Sequence, residues 1–239
     1  MILTAGKDVM EKGENILKSQ ILKSQIFNGE LIKRALTAAV LIGLLPFMLS
    51  NGFVWTLSML FVALLAWREW WNISADFSVT VKGLGAGYIA VAVATAVHMQ
   101  QLTNGVMLIL FSLSCVVAMD VAAYFGGKRL GKTPLAPKIS PKKTVEGLLC
   151  GLLCALLVGA MFSPLFVKLF GFSWLLTISF AMIIALVSQC GDLLISYFKR
   201  KAGVKNSGNI LPGHGGVLDR IDGHLAAFPT LFLLLTLFG

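Results

Sequence analysis

The residues best equipped for chemistry lie between Ser196 and Asp222, in the stretch SYFKRKAGVKNSGNILPGHGGVLDRID. It opens on Ser196 and the cations Lys199, Arg200, Lys201 and Lys205, runs through Pro212-Gly213-His214-Gly215-Gly216, and closes on Asp219, Arg220 and Asp222. Cations, glycine-freed backbone and carboxylates three residues apart suit a phosphate-rich ligand held with a divalent cation. A solvated basic loop beside a membrane has the same composition, and only its neighbours distinguish the two. Upstream, Asp192 shares a helix face with Ser196 at i, i+4; its plain structural reading is a buried partner for Lys199 or Arg200. A second block, Lys138 to Gly147 (KISPKKTVEG), repeats cations, hydroxyls and glycine. Asp120 stands inside an apolar run, where an unpaired carboxylate is costly, and so is expected to face a bundle interior. Tyr124 follows it by one helical turn.

These residues must be carried by membrane helices. The chain of 239 residues is 57% hydrophobic and 13% charged, with mean hydropathy +0.84. Apolar runs of the length that a bilayer core requires recur along it. Backbone groups in lipid must be bonded within the segment, so the runs read as helices. The expected fold is all-α, a polytopic integral membrane bundle with about seven spans and two cytoplasmic catalytic loops. Spans are expected near 35–49, 53–67, 84–98, 106–125, 148–166, 174–195 and 225–238. Residues 1–34 read as a polar or amphipathic cytoplasmic segment, with ILKSQ repeated in tandem; residues 35–239 form the membrane-embedded domain. Arg68-Glu69-Trp70-Trp71 marks an interface with an aromatic belt, and Glu69 there reads as an interfacial ion-pair partner. His98 reads as a solvated interfacial histidine. Cys115, Cys150, Cys154 and Cys190 fall in apolar runs; no histidine or carboxylate is spaced to complete a zinc site, and no disulfide framework is suggested.

Charge sets the orientation. With the N-terminus in the cytoplasm and seven alternating spans, all of the 20 lysines and arginines except Lys168 lie on the cytoplasmic side. The net charge of +9 is therefore mostly topological. It is no argument for nucleic acid, because the cations are divided among membrane loops.

The stretch Ser196-x-Phe198-Lys199-Arg200-x4-Lys205, followed by Leu211-Pro212-x-His214-Gly215-Gly216-Val217-x-Asp219-Arg220-x-Asp222, resembles the signature of phosphatidate cytidylyltransferases, also called CDP-diglyceride synthetases. Ile139-Ser140-Pro141 through Gly147 is similar to that family's second recurrent block. One position departs: Asn206 stands where the family carries Asp.

The resemblance implies the reaction CTP + phosphatidate → CDP-diacylglycerol + pyrophosphate, with Mg2+ as cofactor, in phospholipid biosynthesis. It implies a bacterial inner-membrane protein with its site facing the cytoplasm. Expected partners are CTP, phosphatidate and membrane lipid, with no nucleic acid; a homodimer is left open. On this reading Asp192, Asp219 and Asp222 hold the metal, while Lys199, Arg200, Lys205 and Arg220 neutralise phosphate. His214 donates to phosphate, and Gly215 and Gly216 let backbone approach it. Ser140, Lys142, Lys143, Thr144 and Ser196 line the substrate. Restoring Asp at position 206 is expected to lower the magnesium requirement.

Three alternatives share part of this pattern. Asp219-x2-Asp222-Gly223 also resembles the start of the CDP-alcohol phosphotransferase motif, but no second acidic pair follows. A transporter or scaffold would place its ionisable residues at mid-membrane, whereas here they gather at the ends. A CTP-dependent polyprenol kinase would transfer the γ-phosphate instead.

Overall fold

The computed structural model describes residues 36, 39–40, 43–211 and 215–238. The expected N-terminal segment, residues 35, 37–38 and 41–42 of the first span, and His214 lie outside the described residues. Among the described residues, six helices are long and apolar enough to cross a membrane. They are α1 (Gly52–Ile73), α2 (Val79–Gln101), α3 (Gly105–Leu130), α4 (Val145–Phe170), α5 (Trp174–Lys201) and α6 (Leu218–Phe238). Residues 43–49, just before α1, are also helical. The protein is an all-α polytopic membrane bundle with one small addition. The KISPKKT block is not a loop but part of an antiparallel hairpin, β1 (Pro134–Ala136) with β2 (Ser140–Thr144).

Local chemistry sets the helix ends. Ser78, Thr144 and Ser173 accept from the Val81, Gly147 and Leu176 amides and so cap α2, α4 and α5. Gly171, at φ +73°, ends α4 in the left-handed conformation that glycine tolerates. With 28 residues, α5 is about 42 Å long, well beyond the ~30 Å hydrocarbon core, so its Lys199–Lys201 end stands at the boundary with water.

Packing follows the rule for helices in lipid. The buried face of α4 is Gly147, Gly151, Ala155, Gly159 and Ser163, one small residue every fourth position. A Cβ on Gly147 would lie 2.6 Å from the Ala123 carbonyl of α3, and one on Gly159 2.8 Å from Ile178 Cα of α5. Small residues let three backbones close on one another, while Leu149, Leu153 and Leu157 stay outward. At one end of the bundle a cluster including Trp55, Phe111, Phe166, Phe180 and Leu231 fills the interior. At the other end Trp70, Ile195, Leu218 and Leu225 form a second cluster beneath the site. The WREWW segment is thus divided: Trp67 and Trp71 are exposed, whereas Trp70 is buried edge-to-face on Phe198 with its indole N–H on the Lys82 carbonyl at 3.0 Å.

Candidate active site

The first element of the site is the hairpin. Glu146, in the first turn of α4, accepts from the backbone N–H groups of Lys132 and Thr133 at 3.1 Å and fastens the start of the hairpin. The far strand then carries Lys142, Lys143 and Thr144 toward α5. There Lys143 forms an ion pair with Asp192, whose other oxygen accepts from Ser196 Oγ at 3.1 Å. Arg200 ties the same parts together, donating to the Ile139 carbonyl at 3.1 Å and the Val204 carbonyl at 2.9 Å. The partner of Asp192 is neither Lys199 nor Arg200 but Lys143, 49 residues away. A cavity of about 570 Å³ results, lined by Asp120, Tyr124, Lys128, Lys142, Lys143, Thr144, Gln189 and Asp192 among others.

The second element is the segment between α5 and α6. Lys199 is buried and donates to Asp219 Oδ1 at 2.7 Å. Asp219 Oδ2 accepts from the Ser207 and Gly216 amides at 2.8 and 3.1 Å. Leu211 and Gly215 exchange backbone hydrogen bonds across the turn, with Gly215 at φ +85°.

Glu69, from the end of α1, anchors this segment. One carboxylate oxygen accepts from Ser207 Oγ at 2.7 Å and the Leu218 amide at 2.8 Å; the other accepts from the Val217 amide at 2.9 Å. A buried anion therefore satisfies amides at the N-terminus of α6, where the helix dipole favours negative charge. Here the expectation of an interfacial ion-pair partner is corrected: Glu69 is 2% exposed and its partners are a hydroxyl and two amides. Gly216 also changes role. A Cβ there would collide with Ser207 and Glu69, so the close backbone approach it permits is to this carboxylate, not to a phosphate.

Asp192 and Asp222 lie close enough to repel each other, and Asp120 repels both. Lys143 and Arg220 offset Asp120, and Lys199 offsets Asp222. Three helices thus present carboxylate oxygens to one region, the hard donors that magnesium takes. Among the described residues no three metal-ligating side chains close into a ready cage. Magnesium ordinarily uses one or two carboxylates and completes its shell with substrate phosphates and water, and Asp192 and Asp222 fit that mode. Asp219, grouped with them from the sequence, is turned instead toward Lys199 and the loop amides.

Of the other expected site residues, Ser140 pairs with Ala136 in the hairpin, and Lys205 and Arg220 are exposed. Sequence reasoning singled out neither Glu69 nor Gln189 for the site. Glu69 carried a signal, an acid among tryptophans at a helix end, but nothing local names its partner. Gln189 carried only its place one turn before Asp192.

The fold and site define a polytopic membrane bundle with cations and carboxylates gathered in a cavity at one end. The chain belongs to the cytidylyltransferase family, whose family model matches residues 76–238. It is 50% identical over 121 residues to a protein of Helicobacter pylori (strain ATCC 700392 / 26695) named phosphatidate cytidylyltransferase, covering 51% of this chain and 44% of that protein. Proteins of the same name match from Rickettsia bellii (strain RML369-C), 35% identical over 74% of this chain and 78% of that protein, and from Bacillus subtilis (strain 168), 40% identical over 65% and 58%. The chain thus spans about half the length of the Helicobacter and Bacillus relatives it matches.

Proposed function

We propose that the protein is a phosphatidate cytidylyltransferase that joins CTP and phosphatidate to give CDP-diacylglycerol and pyrophosphate. The observation that carries this reading is the docking of the hairpin on α5 through Lys143 and Asp192, which brings the second block against Ser196 and Arg200 of the first, beside a cavity lined by Lys142, Lys143 and Asp192. A phosphate oxygen of phosphatidate attacks the α-phosphorus of CTP, and the bond to pyrophosphate breaks. The phosphomonoester is already ionised at neutral pH, so no strong general base is needed. The obstacle is repulsion between two anions. Lys128, Lys142 and Lys143 in the cavity lining offset that charge, and Arg220 stands within reach of Asp120. Magnesium on Asp192 and Asp222, with Asp120 nearby, would supply further neutralisation of phosphate charge. Lys199, Asp219 and Glu69 hold the loop that presents Asp222.

The site end also faces the cytoplasm on this reading, and the membrane is the bacterial inner one. Contacts gather Arg68, Lys82, the hairpin and the 199–220 segment at one end of the bundle, with Lys168 at the far end of α4, as the positive-inside rule requires of a cytoplasmic face. The test is incubation of purified protein with CTP labelled at the α-phosphate, phosphatidate and magnesium. Label entering the lipid with release of pyrophosphate supports the reading. Transfer of the γ-phosphate to lipid would make the protein a kinase and overturn it.

A further inference from the structure

The outward face of α3 turns from apolar to cationic at its last turn. Val117, Val121 and Phe125 recur every fourth residue and are exposed, which in a membrane helix makes a row facing lipid. Arg129 continues that row, and Tyr124 and Lys128 run beside it, all exposed. With 26 residues, α3 is about 39 Å long and outreaches the ~30 Å hydrocarbon core. With the excess shared between its ends, Tyr124 and Phe125 lie at the interface and Lys128 and Arg129 stand level with lipid headgroups.

The hairpin adds Lys132, Lys138 and Lys142, also exposed. Its strand β1 has three residues and is about 10 Å long. A Cβ on Gly127 would lie 3.0 Å from Thr144 Oγ1, so β2 ends against the last turn of α3. One small unit thus carries five cations. Between Asp120 and Asp192 the only acid is Glu146, whose oxygens already accept from the Lys132 and Thr133 amides. Among the described residues none of the five cations has an ion pair or a side-chain hydrogen bond. At the same end of the bundle Lys82, Lys199 and Arg200 direct theirs to the Ala75 carbonyl, to Asp219 and to the Ile139 and Val204 carbonyls. Cations anywhere in the segment would satisfy the positive-inside rule; this hairpin also holds them, unpaired, beside a row that faces lipid.

A partner that meets both features has hydrocarbon for Val121 and Phe125 and an anionic head for the cations. A nucleotide in water brings the charge but nothing for the apolar row; an anionic phospholipid of the surrounding leaflet brings both. We propose that Arg129, Lys132 and Lys138 form a docking surface for anionic phospholipid, and that this surface enriches phosphatidate beside the cavity that Lys128 and Lys142 line. The docking surface stands on the structure alone, whereas the enrichment of substrate rests on the proposed function.

The test reconstitutes the protein in phosphatidylcholine vesicles with a trace of spin-labelled phosphatidylglycerol or spin-labelled phosphatidylcholine and reads the motionally restricted share of each label. Wild type should hold the anionic label about three- to tenfold over the neutral one at low salt, and lose most of that preference near about 1 M salt, where the screening length is ~3 Å. The triple variant Arg129→Gln, Lys132→Gln, Lys138→Gln should lose about half of the preference or more. Its KM for phosphatidate in neutral vesicles should rise about threefold, with kcat and KM for CTP unchanged. Added phosphatidylglycerol should raise the wild-type KM for phosphatidate toward that of the variant. Equal restriction of the two labels by wild type would overturn the docking surface without need of any variant, and so would a preference that the triple variant keeps. A higher KM for CTP with the lipid preference intact would overturn it in favour of the nucleotide. Loss of the preference with KM for phosphatidate unchanged would overturn the enrichment of substrate. Preference for the anionic label in a protein that transfers no cytidylyl group would leave the surface as assigned and overturn the proposed function instead.

Discussion

Glu69 accepts a hydrogen bond from the Val217 amide at 2.9 Å across 148 residues of chain. With the bonds from Ser207 and Leu218, this one carboxylate joins the end of α1 to the start of α6 and to the loop before it. The position of Asp222 depends on α6 starting where it does, so a residue outside both signature blocks helps to position the site.

Glu69→Ala should therefore unfasten the loop. Removing a buried acceptor of three donors leaves those donors unsatisfied, and a loss on the order of 3–5 kcal/mol is expected. Thermal unfolding in detergent should fall, and turnover should drop more than tenfold. Glu69→Gln keeps the shape but turns an N–H toward one of the amides or the Ser207 hydroxyl, and should be intermediate. An alanine variant with the wild-type melt and rate would show that the loop is held by other contacts.

Asp219 and Asp222 should separate in a magnesium titration. Both Asp→Asn variants should lose most activity, for different reasons. Asp222 stands against Asp192 and Asp120, so Asp222→Asn should raise the half-saturating magnesium about tenfold or more. Asp219 is committed to Lys199 and two loop amides. Its Asn variant leaves Lys199 buried without its counter-charge and should lower the melt with little change in magnesium requirement. The reverse pattern would return Asp219 to the metal and remove Asp222 from it.

A Cβ on Gly215 would lie 3.0 Å from Asp219 Oδ2 and 3.7 Å from Asn206 Cγ, so Asn206 and Asp219 both stand against this turn. From the sequence, restoring Asp here promises a gain in metal affinity. The structure sets the position against Asp219 and not the Asp192–Asp222 pair, so the added charge meets a like charge already satisfied by Lys199. Asn206→Asp is expected to leave the magnesium curve within about twofold of wild type and to lower stability by about 0.5 kcal/mol. A curve displaced to much lower magnesium would show that this side of the loop reaches the metal.

Orientation is open to cysteine labelling on a background lacking Cys115, Cys150, Cys154 and Cys190. Lys205→Cys should react with an impermeant thiol reagent only from the cytoplasmic face, and Lys168→Cys only from the opposite face. Labelling with the faces exchanged would invert the topology and place the cavity away from the cytoplasm.

The sequence by itself determined the class of fold and the identity of the charged blocks. A bilayer imposes length and apolarity on each span separately, so helices could be recognised one by one without knowing their neighbours. The cations of the KISPKKT and SYFKRK segments, and Asp192 and Asp222, were likewise visible as residue types at given spacings. Tertiary structure decided which of them meet. The hairpin was read as a loop because strand pairing between Pro134 and Thr144 is a relation between segments, not a property of either. Asp219 and Asp222 look equivalent at i, i+3, yet one is bound to Lys199 and the loop amides while the other is buried within the repulsion of Asp192 and Asp120. Glu69 looked like one more interfacial charge, since its donors lie on the far side of the chain. Hydropathy reports what one segment asks of its solvent; hydrogen bonds and ion pairs act only between groups that folding has brought within about 3 Å.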